Sequence, residues 1–221
     1  VSAFLLFGPW VASGIWAHAD PAAASALAPG AYSSLREEQP ADLGLSPAQS
    51  SQMSAEILTN NIRVSFLAFA GGILFCIGTA LVLVSNGLTL GTVTGLAFAA
   101  GNGSRFVRLV SAHGVLELSC IVVAGAAGMR MGWAMVCPGV LRRSAALAIE
   151  ARAAAEIVLG TALWLVLAGL VEGFITPEGL QTAPALAVGF AIGGLFWGLA
   201  LWKGRAPGAL PPPTAVRATS P

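Results

Sequence analysis

Long apolar runs, broken by short polar stretches, set the pattern of this chain. A helix needs about 20 apolar residues to cross the hydrocarbon core of a bilayer. Ser85-Asn86-Gly87 predicts a tight turn inside the longest apolar region, and the segment after this turn is short enough to be tilted or re-entrant. We therefore predict an all-α fold, a polytopic transmembrane helix bundle with six membrane segments: Val1–Trp16, Ile62–Val84, Leu88–Gly101, Gly114–Met129, Ala153–Val171 and Pro184–Trp202.

The polar stretches divide the chain into four parts. The apolar run at the start is interpreted as a transmembrane helix truncated at its beginning; a signal peptide ending at Ala17-His18-Ala19 is the alternative, but a basic start is missing. Ser46-Pro47 is a good helix start within the loop that follows. The predicted parts are residues 1–16, the first transmembrane helix; 17–59, an extracytoplasmic loop with short helices; 60–203, the transmembrane helical core; and 204–221, a proline-rich disordered cytoplasmic tail.

Composition supports lipid as the main solvent of the chain. Hydrophobic residues make up 56% and charged residues 10%, whereas soluble domains carry about a quarter charged residues. A net charge of +1 gives no argument for a nucleic-acid partner. Cys76, Cys120 and Cys137 are widely spaced in or beside apolar segments, which is typical of small core residues rather than of a disulfide framework. We predict a multi-pass protein of a bacterial or archaeal cytoplasmic membrane.

Basic residues near the ends of the segments predict the orientation of the bundle. The connection from Met129 to Arg152 carries four arginines, which places it in the cytoplasm. The stretch from Ala17 to Asn61 carries five acidic residues and one arginine, so it is predicted to lie outside. Arg105 and Arg108 fall on the outer side in this arrangement and count against it.

This orientation brings polar residues from three separate parts of the sequence to one membrane face. His113 and Glu117 lie four residues apart, so on a helix they share one face, one turn apart. Ionisable groups at membrane depth are costly and often mark function. The predicted polar functional cluster consists of Asn60, Asn61, Arg63, His113, Glu117 and Glu172.

Three interpretations of this cluster remain open. His113 and Glu117 could neutralise one another by a hydrogen bond, with Arg63 as a counter-ion. Alternatively His113, Glu117 and Glu172 could bind a divalent metal, since zinc accepts imidazole and carboxylate ligands and an open position allows catalysis. A partner-binding or proton-coupled role is the third. His-x-x-x-Glu is a weaker signal than a zinc-protease motif, so we predict no catalytic residue and no cofactor.

The chain resembles the stage II sporulation protein M family of integral membrane proteins, over about 60–177. The pieces that carry the resemblance are Asn60–Val64, Phe69–Ile73, Gly78-Thr79, Asn86-Gly87-Leu88, Leu90-Gly91, His113–Leu118, Ala124–Gly128 and Glu172–Pro177. In endospore formers the resemblance implies a membrane scaffold that anchors two peptidoglycan-degrading enzymes, a lytic transglycosylase and an amidase, during engulfment. It supplies no catalytic residues.

Two functional hypotheses follow. The first is a non-enzymatic scaffold of the cell envelope, whose partners are the lipid bilayer and envelope proteins that include peptidoglycan-remodelling enzymes. The small residues of the helices are also compatible with a homo-oligomer. The second is a membrane-embedded metal-dependent hydrolase or an ion-coupled transporter that uses His113, Glu117 and Glu172.

Overall fold

The computed structural model of the protein describes residues 1–27, 47–175 and 181–204. These residues form helices and short turns and contain no strand, which confirms the all-α prediction. The predicted tail beyond residue 204 and residues 28–46 of the predicted outer loop lie outside the described residues. The helices are α1 (Ser2–Ala19), α2 (Pro21–Leu27), α3 (Pro47–Ala70), α4 (Ile77–Ala99), α5 (Gly103–Val136), α6 (Arg143–Ile175) and α7 (Thr182–Gly204), with a 3₁₀ turn at Gly71–Ile73.

Among the described residues, four segments are long and apolar enough to cross a membrane: Ile77–Ala99, Val110–Val136, Arg143–Val171 and Thr182–Gly204. The second of these belongs to α5, which packs against all the other long helices. In α5, 72% of the most apolar stretch is buried inside the bundle. The corresponding share is 28% in α6 and 22% in α7. The outer faces of α6 and α7 are therefore the surfaces that meet lipid, since in water such exposed apolar area would be unfavourable.

Helices α1 and α4 run parallel and touch along most of their length. Leu6 contacts Gly87 near the start of the pair, and Gly14 contacts Gly91 further along. Glycines four residues apart on α4 leave no side chain between the two backbones, the arrangement that small residues provide between membrane helices. The hydroxyl of Ser13 donates to the carbonyl of Leu88 across this contact, at 3.1 Å. The predicted first helix is thus an integral part of the bundle.

The structure corrects the predicted turn between the second and third segments. The chain reverses at Gly71–Cys76, not at Ser85-Asn86-Gly87, which lies inside α4. Phe75 and Cys76 take positive φ angles of 53° and 71° to make this reversal. Gly71 and Gly78 then pack backbone against backbone across the turn. The predicted spans Ile62–Val84 and Leu88–Gly101 are therefore wrong, because the whole of α4 is one segment.

The connections between the helices lie at the two opposite ends of the bundle. One end holds Val1, the reversal at Cys76, and the connection that ends at Arg142; Val1, Cys76 and Arg130 line one groove there. We call this the arginine end. The far end holds Ala19 and the turn at Gly101, because α4 runs parallel to α1. Of the acidic residues of the predicted outer loop, the described Asp20 and Glu56 lie toward the far end, opposite the arginine-rich connection. The membrane side that each end faces stays a prediction.

The cysteines fit the sequence interpretation in part. Cys120 is fully buried between α5, α6 and α7, as expected of a core residue. Cys76 is half-buried, with its thiol 3.3 Å from the carbonyl oxygen of Met129. Cys137 is exposed, so the prediction of a core position is wrong there, because the residue ends α5 at the edge of the bundle. All three are free thiols.

Candidate functional site

A polar contact between α3 and α5 lies at the centre of the candidate site. The side-chain amide Nδ2 of Asn61 donates a hydrogen bond to Oε2 of Glu117 at 2.5 Å. Glu117 is only 4% exposed, and so is His113, one helical turn earlier on α5. Breaking a buried hydrogen bond between two helices leaves its donor and acceptor unsatisfied away from water, which is costly. This bond therefore fixes α3 against the central helix.

The pitch of α3 decides which of its polar residues reach this site. Asn61, Ser65 and Ala68 share the face that packs inward, at spacings of four and three residues. Asn60 and Arg63 are exposed on other faces of the same helix. Among the described residues Arg63 forms no ion pair with Glu117, so the structure gives no support to Arg63 as the counter-ion. The structure brings together Asn61, His113 and Glu117 from the predicted cluster.

Glu172 lies on α6 at the level of this site, but its side chain is outside the described residues. The preceding residue, Val171, is buried against Ala112 and Ala185, and Ala112 precedes His113. Helices α5 and α6 are therefore in contact next to His113, and the approach of Glu172 to the site stays a prediction. The described part of the chain contains no group of three metal-ligating side chains. The metal interpretation depends on Glu172 and stays a prediction.

Two polar residues of the bundle, Ser65 and Arg105, do not belong to the predicted cluster. Ser65 is 3% exposed, and its hydroxyl has no hydrogen-bond partner among the described residues. Its position four residues after Asn61 on an apolar helix was the available signal. Arg105 is half-buried, with Nε and Nη1 shielded from solvent and also without a hydrogen-bond partner in the described part. Arg105 is thus no ordinary surface charge, which weakens its use as evidence on orientation.

Chemically, the site is a buried carboxylate with one satisfied and one unsatisfied oxygen. Oε1 of Glu117 has no hydrogen-bond partner among the described residues. An unpaired carboxylate away from water is costly, so such a group takes up a proton, a cation or a water molecule. The site can therefore hold two helices together, and Oε1 of Glu117 can still accept one more polar contact.

The apolar helices around a buried polar centre define a polytopic helical membrane protein. The sequence profile described as "Stage II sporulation protein M" matches residues 3–177, and the chain belongs to this family. An uncharacterized protein of the archaeon Methanocaldococcus jannaschii is 27% identical over 124 residues, which cover 55% of this chain and 70% of the relative. No solved structure matches the chain. The matched region contains α1 to α6 together with the polar site.

Proposed function

We propose that this protein is a non-enzymatic scaffold of the cell envelope that holds envelope partners at its outer surface. The observation that carries the proposal is the bond between Asn61 and Glu117, which anchors α3 in the bundle. Polar side chains that hydrogen-bond between membrane helices hold those helices together, and this supports a structural role for the site. Peptidoglycan-remodelling enzymes are the partners that family membership favours.

The first half of α3 is the part of the described chain best suited to present a partner surface. Gln52, Ala55, Glu56 and Thr59 are exposed there. Leu58 on the same half packs against Gly169 of α6, one turn before Asn61 meets Glu117. The two contacts fix a polar helical segment that continues out of the apolar core. A partner can bind such a preorganised segment without paying for its ordering.

This proposal predicts that charge reversal on the exposed half of α3 releases partners without unfolding the protein. Affinity purification of an Ala55→Arg/Glu56→Arg double variant from native membranes should recover about tenfold less of each specific partner, which corresponds to about 1.4 kcal/mol. Val140→Gln, at an 86% exposed position of the opposite end, is the matched control. Its partner recovery should equal that of the unchanged protein.

Equal recovery by the double variant and the control would contradict a partner surface on α3. Thermal unfolding in detergent must show the same midpoint for the three proteins, so that a loss of partners reports on the surface alone. Recovery of peptidoglycan-remodelling enzymes identifies the partner class. Recovery of other envelope proteins retains the scaffold and rejects that class.

A second candidate, ion-coupled transport, is favoured by the unsatisfied Oε1 of Glu117 at membrane depth. We expect this candidate to produce a cation or proton flux in vesicles that contain the purified protein. Glu117→Gln keeps the shape of the side chain and should abolish that flux, whereas Glu56→Gln, on the exposed half of α3, should leave it unchanged. Vesicles with the protein that are no more permeable than empty vesicles would reject transport.

A further inference from the structure

An open groove lies at the arginine end of the bundle, away from the site described above. It is formed by the last turns of α5, the connection that follows, the first turns of α6 and the beginning of α1. Its volume is about 750 Å³, within the range of about 300 to 1,000 Å³ that holds small ligands. Its apolar wall includes Val1, Met129, Trp133, Leu141, Ala146 and Ile149.

The charges around this groove are unbalanced in favour of arginine. Arg130 and Glu150 line the groove and form an ion pair of 2.8 Å, which uses the acid for internal pairing. Arg142 and Arg143 lie between the lining residues Leu141 and Ala146, and both are exposed. Among the described residues neither forms an ion pair. The apolar groove is therefore next, along the chain, to two arginines that form no ion pair among the described residues.

The groove lies at the ends of two segments that are long and apolar enough to cross a membrane, so in a bilayer we expect it near the border between hydrocarbon and lipid head groups. Its residues come from the ends of two apolar segments, Val110–Val136 and Arg143–Val171, and from the polar connection between them. Trp133 is 62% exposed at this level, and tryptophan is enriched at membrane interfaces. An occupant must therefore offer an apolar portion toward the helices and a negative charge toward the connection.

We propose that this groove binds one anionic phospholipid, with an acyl chain against Trp133 and Ile149 and the phosphate at Arg142 and Arg143. Basic pockets between membrane helices are known to bind anionic head groups. A soluble anion would leave the apolar wall uncovered, and a zwitterionic lipid would gain less from the arginines. The proposal depends on the membrane location of the protein and is independent of its role as a scaffold.

The test measures binding of phosphatidylglycerol to the purified full chain in a neutral detergent, by native mass spectrometry and by the shift in the thermal unfolding midpoint. Phosphatidylglycerol should bind and stabilise the protein, whereas phosphatidylcholine at the same concentration should not. In an Arg142→Gln/Arg143→Gln variant the affinity should fall about thirtyfold, because each basic group near a lipid surface contributes about 1 kcal/mol. Lys203→Gln, an exposed basic position at the same end on α7, should keep its affinity.

A second pair of variants separates a groove from a general positive surface. Ala126→Trp fills the groove at an exposed lining position and keeps every arginine; Ala187→Trp, exposed on α7, is its control. The first should weaken phosphatidylglycerol binding at least tenfold and the second should not. Should Ala126→Trp fail to fold, Ile149→Gln at a 53% exposed lining position takes its place.

Three results would overturn the proposal. Loss of binding by the arginine variant alone, with Ala126→Trp unaffected, would show general attraction of anionic lipid to the positive end. Equal loss by Lys203→Gln would show the same. Stabilisation by sn-glycerol 3-phosphate as strong as that by the lipid would show an anion site that makes no use of the apolar wall.

Discussion

Replacement of Gly91 by valine is expected to lower the free energy of unfolding by more than about 3 kcal/mol, the upper range for added volume in a packed core. A Cβ atom at this position would meet the Ser13 hydroxyl and the carbonyl oxygen of Trp10, and would approach the backbone nitrogen of Gly14 to 2.9 Å. Two of these groups are backbone and cannot rotate away. The contact between α1 and α4 must therefore open, and α1 has few other contacts to hold it.

The measurement is the unfolding free energy in mixed micelles, with Gly198→Val as the matched control. Gly198 lies inside α7, where a new Cβ would have no atom within 4 Å. Both variants replace a glycine inside a helix by valine, so the change in intrinsic helix preference is the same. The difference between their unfolding free energies therefore reports on the contact between α1 and α4. We expect the control to cost less than about 1 kcal/mol. Similar losses in both variants would show that the close approach of α1 and α4 contributes little to stability.

The fold class could be predicted from the sequence because it depends on length and hydropathy alone. Six apolar runs correspond in chain order to α1 and α3 to α7, although the boundary between the second and third runs is wrong and changes both spans. Ser85-Asn86-Gly87 has the composition of a turn, but in α4 its glycine is used for packing against Leu6. The true reversal uses Phe75 and Cys76 at positive φ, which bulky side chains seldom adopt. Residue preferences therefore pointed away from it.

The sequence could predict which site residues share a face of one helix, but not which residues of a second helix contact them. His113 and Glu117 lie on one face by spacing alone, and both are buried as a pair on α5. The choice between the neighbours Asn60 and Asn61 depends on the rotation of α3 about its axis. That rotation is set by small residues such as Ala68, which contacts Gly128. The amphipathic signal of α3 is too weak in an apolar chain to fix it, so Arg63 was assigned to the site and lies outside it.

Substitution of Asn61 by leucine is expected to destabilise the protein by about 2 kcal/mol, since a buried acceptor that loses its donor costs about 1 to 3 kcal/mol. The change removes the donor to Oε2 of Glu117, and Oε1 already lacks a hydrogen-bond partner among the described residues. Both carboxylate oxygens are then without a donor among the described residues. Asn60→Leu, at the exposed neighbouring position, should change stability by less than about 0.5 kcal/mol.

A double-mutant cycle with Glu117→Gln assigns the loss to this bond. In the Glu117→Gln background Asn61→Leu should cost much less, with a coupling of about 1.5 kcal/mol, near the upper end found between membrane helices. The amide of the new glutamine carries no charge, so an unpaired oxygen there is less costly. Equal costs of Asn61→Leu in both backgrounds would mean that the amide stabilises α3 by packing alone. The anchoring of α3 through Glu117, from which the scaffold proposal is argued, would then be wrong.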